Sequence, residues 1–260
     1  MLAAVLGGVV GLMMGLTGAG SVMAVPLMMW GLAWTQTQAV PVALVAVCIS
    51  ACTVTALTFD VRLVRYKAAL LMALAGVPAI TLGLHASHVL PEALLNAGLV
   101  ASLLFVAYRM LRGDAANSEA LQSLVQLNPA TGRIAWTPRA FATMAGCGAA
   151  TGFLSGLFGT GGGFFLTPSL LALTELPMHS VVATTLMAVA LISASGLATL
   201  ALHGETLPWL VALPFLAGTL AGMFTGRKLA PRIKGPVLER TFAVLVLVVA
   251  ARTLIKALTV

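Results

Sequence analysis

Two glycine-rich segments, G-L-T-G-A-G-S at residues 15–21 and G-L-F-G-T-G-G-G at residues 156–163, interrupt long apolar runs, and each is followed by a proline, Pro26 or Pro168. Glycine has no Cβ and accepts dihedrals closed to other residues, so the backbone N–H groups of such a segment can approach a ligand closely. Hydroxyls stand beside both segments: Thr17 and Ser21 at the first, Thr160 at the second, with Thr184 and Thr185 early in the next apolar stretch. Where a helix restarts after a break, its N-terminus adds about half an elementary positive charge and unpaired N–H donors. Two such termini would offer about one unit of positive charge without a buried Lys or Arg, which suits a small oxyanion. The expected binding set is Thr17, Gly18, Gly20, Ser21, Gly159, Thr160, Gly161, Gly162, Gly163, Thr184 and Thr185. Each hydroxyl has a plainer reading, a bond to its own helix carbonyl or to a neighbouring helix. The four-residue glycine spacing at Gly7, Gly11, Gly15, at Gly148, Gly152, Gly156 and at Gly218, Gly222, Gly226 reads as close helix packing.

The elements that must hold these residues lie in a membrane. The chain is 60% hydrophobic and 8% charged, with a mean hydropathy of +1.06, too apolar for water-facing surfaces. Apolar stretches at 2–33, 37–58, 67–84, 90–110, 139–174, 178–201, 207–226 and 236–257 lie mostly near the roughly 20 residues that a bilayer span needs. Only the polar stretch 111–138 is suited to a sizeable loop. No Lys or Arg precedes Arg62, so residues 1–33 lack the charged start of a cleavable leader and are expected to be retained.

The two segments belong to a duplication. Gly11, Gly15, Leu16, Gly18 and Gly20 align with Gly152, Gly156, Leu157, Gly159 and Gly161; Ala75-Gly76 aligns with Ala217-Gly218, and Arg109 with Arg252. The expected organisation is a first transmembrane repeat over 1–110, a cytoplasmic linker over 111–138 and a second repeat over 139–260. If every apolar stretch crosses once, the halves are parallel and the basic residues divide nine against five between the two sides. If 2–33 and 139–174 each fold as a hairpin that enters and leaves on one side, the halves are inverted and the division is twelve against two. The second matches the positive-inside rule and puts both termini on the outer face. Length agrees, since a continuous 33-residue helix would be about 50 Å long at about 1.5 Å per residue, against a core of about 30 Å. Two arms of roughly 13 to 16 residues would reach midway and return. A broken first helix that crosses once remains the alternative. The fold class is therefore an all-α polytopic membrane protein of two inverted repeats, each a broken or re-entrant hairpin plus three transmembrane helices.

Other residue types narrow the chemistry. Asp60, Glu92, Glu175, Glu205 and Glu239 fall near span ends, and no acid or Lys sits at a span centre where a proton relay would stand. His85, His88, His179 and His203 also lie at loops, His179 and His203 being the better placed for pH sensing. Cys48, Cys52 and Cys147 are all in apolar stretches, and their spacing suits neither a disulfide framework nor a zinc site. Cys48 and Cys52, one helical turn apart, read as small packing residues, with substrate contact or redox response as the alternative. No metal, cofactor or ATP-binding motif stands out, and the net charge of +7 is accounted for by topology and anionic headgroups without nucleic acid. Pro26 and Pro168 are expected to end the first turn of each returning arm, where a missing N–H is tolerated.

The pattern G-L-F-G-T-G-G-G-F-F-L-T-P at 156–168, L-P-M-H-S-V-V-A-T-T-L at 176–186 and A-G-T-L-A-G at 217–222 resembles the TauE/SafE family of sulfite and organosulfonate transporters, over residues 5–257. The second copy carries the more specific motif. The first has Gly18-Ala19-Gly20-Ser21 in place of the family's triple glycine, has Val42 and Ala43 where the second has Thr184 and Thr185, and is the weaker half of the expected site. Ile192 beside Ser193 stands where many relatives are polar. The resemblance implies a secondary transporter in a bacterial cytoplasmic membrane that moves small sulfur-containing anions such as sulfite, sulfonates or thiosulfate. An anion channel built on the same re-entrant hairpins is the alternative. An enzyme is disfavoured, since Phe153 replaces the glycine that a G-x-S-G nucleophile turn around Ser155 needs and no H-E-x-x-H occurs.

Overall fold

The computed structural model describes residues 1–18, 20–57, 64–112, 125, 134–174, 176–202, 207–229, 244 and 246–251. Nearly all of them are helical. The first half contains α1 (Leu2–Thr17), a 3-10 turn (Gly20–Met23), α2 (Ala24–Gly31), α3 (Gln36–Leu57), α4 (Tyr66–Val89) and α5 (Glu92–Arg112). The second contains α6 (Pro138–Phe158), α7 (Gly163–Leu173), α8 (Met178–Leu202) and α9 (Trp209–Leu229), and residues 246–251 are again helical. Among the described residues five helices, α3, α4, α6, α8 and α9, are long and apolar enough to cross a membrane. Most of the linker 111–138, most of the last apolar stretch, Asp60, Arg62, Arg133, Glu175, His203, Glu205, Arg232, Lys234, Glu239, Arg240, Arg252 and Lys256 lie outside the described residues.

The glycine ladders explain which helices meet. A Cβ at Gly7, Gly11 or Gly15 would overlap the carbonyl of Phe215, Thr219 or Met223 respectively, so α1 and α9 run in the same direction with their backbones in contact. Along the other pair, Gly148 lies on Met72, Gly152 on Gly76 and Gly156 on Ile80, so α6 and α4 also run together. Small residues allow this approach, which replaces the water-driven association that a membrane lacks with dispersion contacts. Gly7, Gly11 and Gly15, Gly148, Gly152 and Gly156, and Gly218, Gly222 and Gly226 thereby carry out the packing role read from their spacing.

Between these two pairs lie α3 and α8, crossing in opposite directions. Leu44 faces Gly196, and four residues further along α3 the Cys48 thiol reaches the Ala190 carbonyl at 4.0 Å. The outer surface is apolar where lipid would meet it: Leu2, Val5 and Val9 on α1 and Leu70, Leu74 and Val77 on α4 are exposed along single stripes. On α5 the buried positions Leu95, Leu99, Leu103 and Ala107 recur every four residues and close the core from one side.

Both broken segments double back. Gly20 lies against Met13 and Met14, and Gly31 against Leu6, so α2 returns beside α1 rather than continuing it. Gly162 lies against Thr151, and Leu166, Leu170 and Leu173 of α7 share a buried cluster with Ala140 and Met144 of α6. Arm lengths depart from the 13 to 16 residues expected: α1 has 16, but α6 has 21 and the returning helices α2 and α7 only 8 and 11. The long first arms follow from their glycine ladders, which keep each zipped to a full-length partner past mid-depth. Pro26 falls in the first turn of α2, as expected, whereas Pro168 falls one turn later in α7, because that helix already begins at Gly163.

The ladder geometry predicts a contrast within one helix. Gly152→Val should lower stability by about 3 kcal/mol through overpacking against the Gly76 backbone. Gly146→Ala, with nothing within 4 Å of its Cβ, should be neutral or raise stability by up to about 1 kcal/mol. Thermal unfolding in detergent checks both, and equal effects would contradict the packing.

Candidate functional site

Each first arm ends in a left-handed glycine. Gly18 (φ +71°) caps α1, its N–H donating to the Met14 carbonyl at 2.8 Å, and Gly159 (φ +66°) caps α6, its N–H donating to the Ser155 carbonyl at 2.8 Å. Gly161 (φ +67°) and Gly162 (φ +71°) continue the reversal, and Gly162 caps the start of α7, its carbonyl accepting from the N–H of Phe165 and of Leu166 at 3.1 Å. Any other residue at these four positions would carry left-handed strain of about 1–2 kcal/mol.

The two breaks meet. A Cβ built on Gly163 would lie 2.6 Å from the Gly18 carbonyl oxygen and 3.5 Å from Ser21 Oγ, and one built on Gly18 would lie 3.3 Å from Thr167 Oγ1. Depth follows from the neighbours on the crossing helices: Gly161 touches Val47, midway along α3, and Gly163 touches Val189, midway along α8. Of the C-terminal caps, Gly159 lies away from that level, beside Val40 near the start of α3, whereas Gly18, which packs on Val182 of α8, keeps its carbonyl at the meeting point. The long first arm α6 thus carries its partially negative end past the centre, while the partially positive start of α7 remains there.

Buried hydroxyls surround the meeting point. Ser21, Thr160 and Thr185 are fully buried, with 0% exposure, and their hydroxyl oxygens have no hydrogen-bond partner among the described residues. Thr185 lies on the α8 stripe between Val182, which faces Gly18, and Val189, which faces Gly163. Thr167, unread at the level of sequence, is in the same state beside Gly18. So are Ser155, one turn past the Thr151 that packs on Gly162, Ser193, one turn past Val189, and Ser50, one turn past Val47. Buried polar groups are ordinarily paired, so a concentration of unpaired hydroxyls marks a place prepared for another partner. Helical spacing could have found them: Thr167 is four residues from Gly163, and Ser193 is eight from Thr185.

Two expected hydroxyls are occupied elsewhere. Thr17 Oγ1 donates to the Met13 carbonyl at 2.8 Å. Thr184 Oγ1 donates to the Ser180 carbonyl at 2.7 Å and accepts from the backbone N–H of Arg65 at 3.0 Å, tying α8 to the start of α4. It faces away from the group because it is one residue, about 100° of helix rotation, from Thr185. Of the cysteines, Cys48 is buried, Cys52 exposed and Cys147 intermediate, and none is in a disulfide. Among the described residues no cluster of His, Cys, Asp or Glu could hold a metal ion.

Comparison with known proteins places this arrangement. Residues 3–253 match the family model described as sulfite exporter TauE/SafE. Two similar proteins, both described as "Probable membrane transporter protein", come from Xylella fastidiosa strains 9a5c and Temecula1. Each is 29% identical, over 256 and 252 residues respectively, covering 94% of this chain and 90% of the relative. No solved structure matches the chain. The chain belongs to the TauE/SafE family and is a multi-pass membrane transporter of a small-molecule substrate, not an enzyme.

The hydroxyl bookkeeping predicts opposite stability effects. Ser21→Ala and Thr185→Val remove groups with nothing to bond and should leave the unliganded protein as stable or more stable, by up to about 1 kcal/mol. Thr184→Val breaks two bonds and should cost about 1–2 kcal/mol. Unfolding temperatures in detergent without added anions decide, and the reverse order would contradict the assignment.

Proposed function

We propose that this TauE/SafE transporter carries a small sulfur-containing anion, of the sulfite, sulfonate or thiosulfate class, held at mid-depth where the two breaks meet. The observation that carries the reading is the contact of Gly163 with the Gly18 carbonyl and Ser21, within a group of buried, unpartnered hydroxyls. The 3-10 turn that leads into α2 and the helix α7 start there, and their leading N–H groups and partial charges supply the attraction. The family's description, sulfite exporter, agrees in substrate class. On this reading the ligand contacts come from Gly20, Ser21 and Gly161–Gly163 with Thr160, Thr167 and Thr185. Gly18 and Gly159 shape the turns, and Thr17 and Thr184 hold neighbouring backbone. The second half supplies more of the hydroxyls.

Residues 1–110 and 139–260 form the two inverted repeats, joined by a cytoplasmic linker at 111–138, in a bacterial cytoplasmic membrane. Support comes from the doubled-back arms, from the reciprocal pairing of α1 with α9 and of α4 with α6, and from the antiparallel crossing of α3 and α8. It comes also from the twelve-to-two division of basic residues that this topology gives. Transport proceeds by alternating access, one bundle rocking against the other around the fixed site.

Sulfite, thiosulfate and short sulfonates should each raise the unfolding temperature of the purified protein, while organic cations should not, since a ligand of the folded state alone stabilises it. Thr160→Val and Thr185→Val should each weaken sulfite about tenfold, near the cost of a lost hydrogen bond to a charged partner. Wild-type protein that responds to cations and not to anions would overturn the reading.

A further inference from the structure

One group at the meeting point is of the wrong kind to bind an anion. Gly18 ends α1, and its carbonyl oxygen lies 2.6 Å from the position that a Cβ on Gly163 would take, with Ser21 Oγ 3.5 Å from that same position. A carbonyl can only accept hydrogen bonds. The last carbonyls of α1, a 16-residue helix, have no N–H of their own helix to bond and together carry about half an elementary negative charge. The N–H groups that begin α7 point back along its axis, so the side of α7 that meets Gly18 does not cancel this charge.

Thr167 adds a third oxygen from α7. The buried Thr17, Thr151, Thr174, Thr184 and Thr219 each donate to the carbonyl four residues back, the ordinary resort of a hydroxyl in a membrane helix. Thr167 has the Gly163 carbonyl at that spacing and does not use it. Its Oγ1 has no partner among the described residues and lies 3.3 Å from the Cβ position of Gly18. Thr167 is 3% exposed, and Ser21, whose Oγ is equally unpartnered, is 0% exposed. Gly163 and Thr167 stand one turn apart on one face of α7. The Gly18 carbonyl and the two hydroxyls therefore line a single seam between the first break and that face. The nearest remaining neighbours of Gly18 and Gly163 among the described residues are Val182 and Val189, neither of them charged.

We infer that this seam is a sodium site, where the Gly18 carbonyl and the Ser21 and Thr167 hydroxyls give oxygen lone pairs to the cation, and that it couples anion transport to a sodium gradient. The donor set decides the ligand. All three are hard, neutral oxygens, which suit a hard cation. Without a carboxylate they do not offset the desolvation of a divalent ion, and none holds a proton at neutral pH as a carboxylate or an imidazole can. A monovalent cation remains, and the close approach of Gly163 to the Gly18 carbonyl leaves room only for a small one. As a coupling site it rests on the mid-depth anion reading. Each hydroxyl has two lone pairs and one hydrogen, so a cation on the Ser21 and Thr167 oxygens turns their hydrogens away from itself and toward the anion. The helix starts supply at most about one unit of positive charge, and the cation supplies the second that a doubly charged sulfite needs. Carbonyls at the C-terminal ends of broken transporter helices take sodium in this manner.

The test is the unfolding temperature of the full chain in detergent, titrated with sodium chloride against choline chloride at constant ionic strength, with and without sulfite supplied free of sodium. Sodium should raise it in the absence of sulfite. Saturating sodium should tighten sulfite about tenfold, and sulfite should tighten sodium by the same factor. Thr167→Val, which keeps the shape of the side chain and removes its oxygen, should raise the half-saturating sodium concentration about tenfold, and Ser21→Ala should do likewise. Thr167→Ser restores the oxygen and should stay within about twofold of wild type. Equal unfolding temperatures in sodium and choline, or a wild-type sodium titration from both Thr167→Val and Ser21→Ala, would overturn the sodium site. Sulfite that still raises the unfolding temperature in choline would then leave the mid-depth anion reading standing. A response to sodium with none to sulfite would remove that reading, and the coupling with it, while keeping the cation site.

Discussion

Hydrocarbon cannot hydrogen-bond a peptide group, and that constraint governs how this chain is built. A helix that stops inside a membrane leaves N–H and C=O groups unpaired, tolerable only where protein or a lined cavity faces them. This protein stops two helices in its interior and starts two more. The C-terminal carbonyls are met by left-handed glycines, at Gly18 and Gly159. The N-terminal donors are set at mid-depth beside hydroxyls that themselves lack partners. Such an arrangement is costly when empty, and on the proposed function an oxygen-rich anion relieves it.

Holding the breaks together requires rigid outer walls, and glycine supplies them by absence. Along α1 and α9, and again along α4 and α6, the missing Cβ atoms let backbones touch over several turns. Each wall joins a first arm from one half to a crossing helix from the other, so neither half packs as an independent unit. The central helices α3 and α8 then place Val47 and Val189 against the second break, fixing its depth. Movement of one wall relative to the other would change what lies above and below the meeting point while leaving the point itself in place.

Much of this was legible in the residues. Hydropathy identified a membrane protein, the four-residue glycine spacing identified the packing ladders, and the offset between the two copies paired the breaks. The family motif at 156–168 led to the TauE/SafE family that the comparisons show. Less legible were features decided by rotation about a helix axis. Thr184 and Thr185 look alike in sequence, yet one is bonded to Arg65 and the other faces the breaks. Arm length also escaped, because spacing shows where a helix breaks but not how far it slides along its partner.

The central claim, that one oxyanion sits between the two returning helices, is tested most directly by diffraction from crystals soaked with selenite, the selenium analogue of sulfite. The account predicts an anomalous selenium peak at mid-depth, between residues 20–21 and 161–163 and within hydrogen-bonding distance of Ser21 or Thr185. Selenium bound elsewhere in the protein, with none at this position under saturating selenite, would contradict it.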